Sequence, residues 1–203
     1  MTRTLVVVSA GLSQPSSTRL LADALAGAAV TAMGESDTVV TVVELREAAH
    51  DIVNNLLTGF ASPSLQESLD AVTSADAVIA VTPVFAASYA GLFKSFFDLL
   101  EPDALAGIPV LIAATGGTER HSLALEYALR PLFIYLRAEV VPTGVFAATS
   151  DWGASGEPGA DGLVARIERA ATELAQAVQR RAPRAAGSGG AVEVTPFAEL
   201  LVR

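Results

Sequence analysis

The regular exchange of short β-branched runs with helix-length segments narrows the possible folds more than anything else in this chain. The first run, residues 4–9 (Thr-Leu-Val-Val-Val-Ser), shows no polar alternation and reads as a strand buried on both faces. Further strand-like runs follow at residues 38–45, 77–81, 109–114 and 139–146. Between them, residues 17–33, 63–73, 89–100 and 122–136 read as helices. Leu92, Phe93, Phe96, Phe97 and Leu100, for example, recur at three- and four-residue spacing. A short helix is expected near residues 51–57. An amphipathic helix over 161–181, with Leu163, Ile167, Ala171, Leu174 and Val178 on one face, closes the pattern.

Strands that alternate with helices form a parallel sheet covered on both faces. Right-handed crossovers leave few strand orders for such a sheet. The expected architecture is a flavodoxin-like, doubly wound α/β fold of five parallel strands in the order 2-1-3-4-5. Its ligand crevice lies at the carboxyl ends of strands one and three. The 203 residues suit one domain over residues 1–181. Residues 182–190, rich in Ala, Pro and Gly, then read as a flexible linker. The apolar motif Val194-Thr195-Pro196-Phe197-Ala198-Glu199-Leu200-Leu201 after it either docks on the domain or a neighbouring subunit, or forms a disordered tail.

Composition removes several classes of function. A hydrophobic share of 51% against 17% charged is far from that of a disordered chain. A net charge of −9 argues against nucleic-acid partners and against docking on anionic lipid. The absence of cysteine removes disulfides and thiolate nucleophiles. Two histidines, His50 and His121, without HExxH spacing, give no reason to expect a metal. No apolar run reaches the roughly 18 residues of a membrane span. No signal-peptide pattern opens the chain, so a cytoplasmic protein is expected.

Three loops at strand ends carry the chemistry. The first is Gly11-Leu12-Ser13-Gln14-Pro15-Ser16-Ser17-Thr18-Arg19, between strand one and its helix. A helix N-terminus leaves N–H groups unpaired and favours negative charge. Ser13, Ser16, Ser17 and Thr18 add hydroxyl donors, and Arg19 is the only nearby cation. The expected anion is a phosphate held by neutral hydrogen bonds; a plain helix cap is the alternative. The second loop, Thr82-Pro83-Val84-Phe85-Ala86-Ala87-Ser88-Tyr89-Ala90-Gly91-Leu92-Phe93-Lys94, places aromatic surface where a chain normally turns polar. The third, Thr115-Gly116-Gly117-Thr118-Glu119-Arg120-His121, presents bare backbone amides. An ordinary Pro-bearing turn and an ordinary Gly turn are the alternatives for these two. Together the loops describe a phosphate seat, an apolar wall and a rim of backbone donors. That arrangement matches a flat ring on a phosphorylated chain, as in FMN.

These segments resemble the NADPH-dependent FMN reductase family, most closely the branch that feeds reduced flavin to two-component monooxygenases. The resemblance covers roughly residues 4–150. It implies that Ser13, Ser16, Ser17 and Thr18 bind the FMN phosphate. It also implies that Pro83, Val84, Phe85, Ala86, Thr115, Gly116 and Gly117 flank the isoalloxazine. His121, with Arg120, borders the site as a candidate for the NADPH phosphate, a solvated loop being the alternative. The family often has Arg or Asn in the phosphate loop where this chain has Ser13 and Thr18. Many relatives have Tyr at the position of Phe85. Hydride would pass from NADPH, or NADH, to the flavin, with no catalytic acid or base supplied by the protein. A flavin-dependent monooxygenase is the implied partner.

Pro131 stands inside an otherwise helical pattern, Tyr127-Ala128-Leu129-Arg130-Pro131. It cannot donate to the carbonyl of Tyr127, so a kink or bulge is expected there. In the resembled branch a Tyr at this place lies on a π-helix at a subunit interface, which implies a homodimer or homotetramer. Two other functions use the same fold. A flavodoxin-type electron carrier would retain FMN without oxidising NADPH, and an NAD(P)H quinone or azo reductase would turn over organic acceptors without free flavin. P-loop, Rossmann and serine-hydrolase signatures are absent from the sequence.

Overall fold

The computed structural model describes residues 2–34, 37–153 and 162–181. In chain order the elements are β1 (Arg3–Ser9), α1 (Ser17–Met33), β2 (Thr38–Glu44), α2 (Ala49–Thr58), α3 (Pro63–Ser74), β3 (Ala77–Phe85), β4 (Ser88–Tyr89) and α4 (Gly91–Phe97). Next come β5 (Pro109–Gly116), a π-helical turn (Leu125–Leu129), α5 (Arg130–Tyr135), β6 (Glu139–Val140), β7 (Val145–Ala148) and α6 (Leu163–Gln179). The sheet runs β2-β1-β3-β5, and β6 and β7 both pair with the outer edge of β5. This is the expected flavodoxin-like 2-1-3-4-5 order, all parallel apart from β4, which folds back antiparallel on β3.

Strand side chains point alternately to the two faces, so β1 feeds two cores. Leu5 and Val7 pack with Leu21 and Leu25 of α1 and with Ile167 and Leu174 of α6. Val6 and Val8 pack on the other side with Ile52, Leu65, Phe93 and Phe133. The second core is built around aromatic rings: Phe97 lies 4.8 Å from Phe93 and 4.9 Å from Phe133, centroid to centroid. β2 is an edge strand with Val39, Val40 and Val42 exposed.

Three elements depart from the sequence pattern. The fifth strand, expected over residues 139–146, splits into β6 and β7. Pro142 has no N–H for the ladder, and α6 holds the gap. Thr143 donates its N–H and its hydroxyl to the Glu173 carboxylate of α6, at 2.7 and 2.8 Å. The helix expected from residue 89 begins only at Gly91, because Ser88 and Tyr89 pair with Phe85 and Val84. The helix expected over 122–136 carries the predicted bulge. The Arg130 N–H reaches five residues back to the Leu125 carbonyl, and Pro131 enters the first turn of α5. The Val194 to Leu201 motif and the 182–190 linker lie outside the described residues. Among the described residues, no helix is long and apolar enough to cross a membrane.

Candidate functional site

The carboxyl ends of β1, β3, β5 and β7 border a cleft of about 390 Å3. Its first side is the loop after β1. Gly11 lets the chain fold tightly there, since a Cβ on it would lie 2.0 Å from Ser16 Oγ. The Gln14–Pro15 peptide is cis. Ser16 caps α1, its hydroxyl accepting the Arg19 N–H at 3.2 Å. The cap uses a lone pair and leaves the Ser16 proton free to donate. The N–H groups of Ser17 and Thr18, at the start of the helix, have no intrahelical acceptor. Beneath the loop Ser9 is fully buried, and among the described residues its hydroxyl has no hydrogen-bond partner.

The second side is the β3–β4 hairpin. Its turn is made by Ala86 and Ala87, both in the left-handed region with φ of 48° and 67°. Phe85, just before the turn, lines the cleft and is 50% exposed. Thr82 ties the hairpin to α4: its hydroxyl accepts the Ala90 N–H and donates to the Pro83 carbonyl, both at 3.0 Å. The third side is the end of β5. A Cβ on Gly116 would come within 2.8 Å of Phe146 Cζ, so the strand rests on that ring only because Gly116 is bare. Gly117 is different, with nothing within 4 Å of the position its Cβ would take. The first and third sides are joined by a buried contact of 2.9 Å between the hydroxyls of Thr18 and Thr115.

Ten of the twelve residues singled out from the sequence line this one cleft: Ser13, Ser16, Ser17, Thr18, Pro83, Val84, Phe85, Thr115, Gly116 and Gly117. Ala86 sits instead at the hairpin turn, outside the lining. His121 lies outside it too, on an exposed 3-10 turn, Glu119–His121, together with Arg120. The lining also includes Leu12 and Thr149, which sequence reasoning passed over. Thr149 directly follows β7, and its place at a strand's carboxyl end was a usable signal.

Among the described residues, no charged side chain lines the cleft. The nearest cation on the phosphate loop, Arg19, is turned away: it bonds the Glu44 and Asp23 carboxylates, and these bonds raise its pKa. Hydroxyls and helix N–H groups at one end suit a phosphate monoester. Pro83, Val84 and Phe85 with the open backbone at Gly117 suit a planar ring with polar edges at the other. The residues present therefore fit FMN.

Comparison with known proteins agrees with that chemistry. The family model described as NADPH-dependent FMN reductase matches residues 3–153. A protein of Pseudomonas aeruginosa described as FMN reductase (NADPH) is 42% identical over 148 residues, covering 72% of this chain and 77% of its own length. A Pseudomonas putida protein described as NADH-dependent FMN reductase SfnE is 38% identical over 167 residues, covering 82% of this chain and 87% of its own. Among solved structures, an oxidoreductase from Corynebacterium diphtheriae superposes with a TM-score of 0.83 at 49% identity, covering 89% of this chain and 99% of that one.

Proposed function

The chain belongs to the NADPH-dependent FMN reductase family and is an NAD(P)H:FMN oxidoreductase, and from that premise we propose where its flavin sits and where the reduced product goes. Ser13, Ser16, Ser17 and Thr18 seat the FMN phosphate at the N-terminus of α1. Pro83, Val84 and Phe85 on one side, and Thr115, Gly116 and Gly117 on the other, flank the isoalloxazine. When bound, FMN supplies the redox chemistry by accepting hydride from the nicotinamide. The protein's own residues bind and orient: hydroxyls and amides fix the phosphate, and backbone groups meet the ring edge without adding charge. In this reading His121 and Arg120, exposed on the 3-10 turn outside the cleft lining, meet a phosphate of the nicotinamide nucleotide.

Reduced FMN leaves this open cleft for a flavin-dependent monooxygenase, and the protein works as a homo-oligomer in the cytoplasm. The face that supports assembly is the π-helical turn and α5, where Tyr127 is 79% exposed beside the exposed side chains of Leu123, Ile134 and Tyr135. Apolar surface so concentrated on one helix marks a contact surface. One observation carries the reading: the convergence of the three loops on a single cleft that, among the described residues, has no charged side chain in its lining.

The test is NADPH and NADH oxidation by purified protein, with and without added FMN. Strict dependence on added FMN, with the KM for FMN raised in Ser16→Ala, is the expected result. Turnover of a quinone without free flavin, or a tightly retained flavin that neither nucleotide reduces, rejects it.

A further inference from the structure

β2 closes one end of the sheet, and among the described residues it pairs only with β1. The Leu45 N–H donates to the Ser9 carbonyl at 2.9 Å, which fixes the phase of that ladder. A strand residue turns its N–H and C=O to the same side, and successive residues alternate, so Val39, Thr41 and Val43 face β1. Val40 and Val42 hold theirs toward the open side. Edge strands normally carry a charge, a proline or a bulge that blocks further pairing. Thr38-Val39-Val40-Thr41-Val42-Val43 has no charge and no proline, and its register with β1 is unbroken. Val39, Val40 and Val42 are exposed as well. An apolar edge about 23 Å long is thus left unprotected.

One segment of the same chain has the matching pattern. Val192-Glu193-Val194-Thr195 alternates apolar and polar residues, the period of a half-buried strand, and Pro196 after it removes the next donor. Phe197, Leu200 and Leu201 follow at three- and four-residue spacing. The point from which this segment is tethered also fits. The Arg181 carbonyl accepts from the Arg3 guanidinium at 2.7 Å, and Arg3 is the register partner of Thr38, the first residue of β2. Residues 182–190 span at most about 30 Å when extended, more than the length of β2 or the strand spacing of about 4.8 Å.

We propose that residues 192–195 pair along the open edge of β2 of their own chain as an added strand. Main-chain hydrogen bonds to Val40 and Val42 supply the affinity, and the alternating side chains set the register. Val40 and Val42 share a face with their register partners Leu5 and Val7. Val192 and Val194 extend that apolar row outward, and Phe197, Leu200 and Leu201 close over it. A second copy's β2 meets the same edge only at its bulk concentration. The connection through 182–190 instead holds residues 192–195 at an effective concentration of about a millimolar. No residue of 38–43 lines the flavin cleft, so the added strand stands apart from the flavin seating proposed above.

The test is amide hydrogen exchange by NMR on the full chain, unaltered and as Val194→Pro, which has no N–H to give. The Val40 and Val42 amides are expected to exchange about tenfold or more slowly in the unaltered chain than in Val194→Pro, at a rate independent of protein concentration. Exchange at Val7 and the rate of FMN reduction should not change. A second measurement places a nitroxide on Thr195→Cys, the one thiol in a chain that has no cysteine. Broadening of the Val40 and Val42 signals is expected to persist when the labelled chain is diluted into an excess of unlabelled chain. Fast exchange in both chains, or no broadening, shows the edge open and overturns the proposal. Slow exchange that survives Val194→Pro also overturns it, and a loss of that protection on dilution assigns the edge to a second copy. Broadening that disappears on mixing shows that the strand comes from another chain, and the proposal fails.

Discussion

Thr18 and Thr115 stand 97 residues apart in sequence, yet their hydroxyl oxygens meet at 2.9 Å in a buried contact. Two hydroxyls bring two protons, and one is used between them. The other remains for a ligand. The pair fixes the first turn of α1 against the end of β5, so the phosphate seat and the ring wall move as one body. Replacing either residue by Val leaves the other hydroxyl buried without its partner, at a cost of about 1–2 kcal/mol. The Thr18→Val/Thr115→Val double variant should cost less than the two single changes combined. Urea denaturation of the three variants measures this; strict additivity would show that the hydroxyls do not depend on one another.

Gly116 and Gly117 are adjacent but should respond in opposite ways. Gly116→Ala drives a methyl group into Phe146 and is expected to cost about 1–3 kcal/mol of stability. Gly117→Ala has room and should stay within about 0.5 kcal/mol of the parent. Its loss should appear instead in FMN affinity, if the ring edge lies against that backbone. Thermal melts with and without FMN separate the two effects.

The hairpin turn holds two alanines at positive φ, a conformation that costs an L-residue roughly 1–2 kcal/mol. Such turns favour Asn-Gly. The Ala86→Asn/Ala87→Gly variant is expected to gain about 1 kcal/mol in stability, read from the denaturation midpoint. No gain would mean that the turn is not strained.

Ser9 carries a buried hydroxyl without a partner among the described residues. Ser9→Ala removes that desolvation cost, and about 1 kcal/mol of stability should be gained. A fall in stability would show that the hydroxyl has a partner in solution.

Glu126 and Arg130 form an i, i+4 pair of 2.6 and 2.9 Å beside the π-helical turn. Arg130 also donates to the carbonyls of Val141 and Pro142, so the pair anchors the turn to the gap between β6 and β7. The Arg130 guanidinium bonded to it holds the Glu126 carboxyl below the ordinary glutamate range. A depressed carboxyl pKa contributes stability that is present above the unfolded pKa and is lost as pH falls through the folded one. Because the carboxylate is half exposed, Glu126→Gln should cost only about 0.3–0.5 kcal/mol near pH 7. The difference from the parent should shrink as the pH falls below the ordinary glutamate value of roughly 4.3 and vanish once it is below the depressed folded one. Denaturation midpoints across pH 2–7 follow it; a difference that shows no decline toward the acid end removes the pair as its cause.

The central strands and their order were legible because they are short, almost uninterrupted apolar runs that alternate with helix-length segments. The π-helical turn was legible because Pro131 has no N–H to give Tyr127. What stayed hidden depends on contacts between distant residues or on weak local signals. The β3–β4 hairpin turns on Ala86 and Ala87, which lack the Gly or Asn that marks such a turn. The break in the last strand needs Glu173 of α6 to receive Thr143, and no local pattern reveals that. Of the site, the three loops could be read one by one. The engagement of Thr18 with Thr115, the diversion of Arg19 to Glu44 and the displacement of His121 from the cleft follow only from the assembled sheet.

A cleft that offers dipoles in place of full charges sets how its occupant depends on the medium. Binding there releases few counterions, so FMN affinity should stay nearly flat as ionic strength rises, because screening acts on net charges far more than on short hydrogen bonds. Such a protein can lend out its flavin equally well in dilute or concentrated electrolyte.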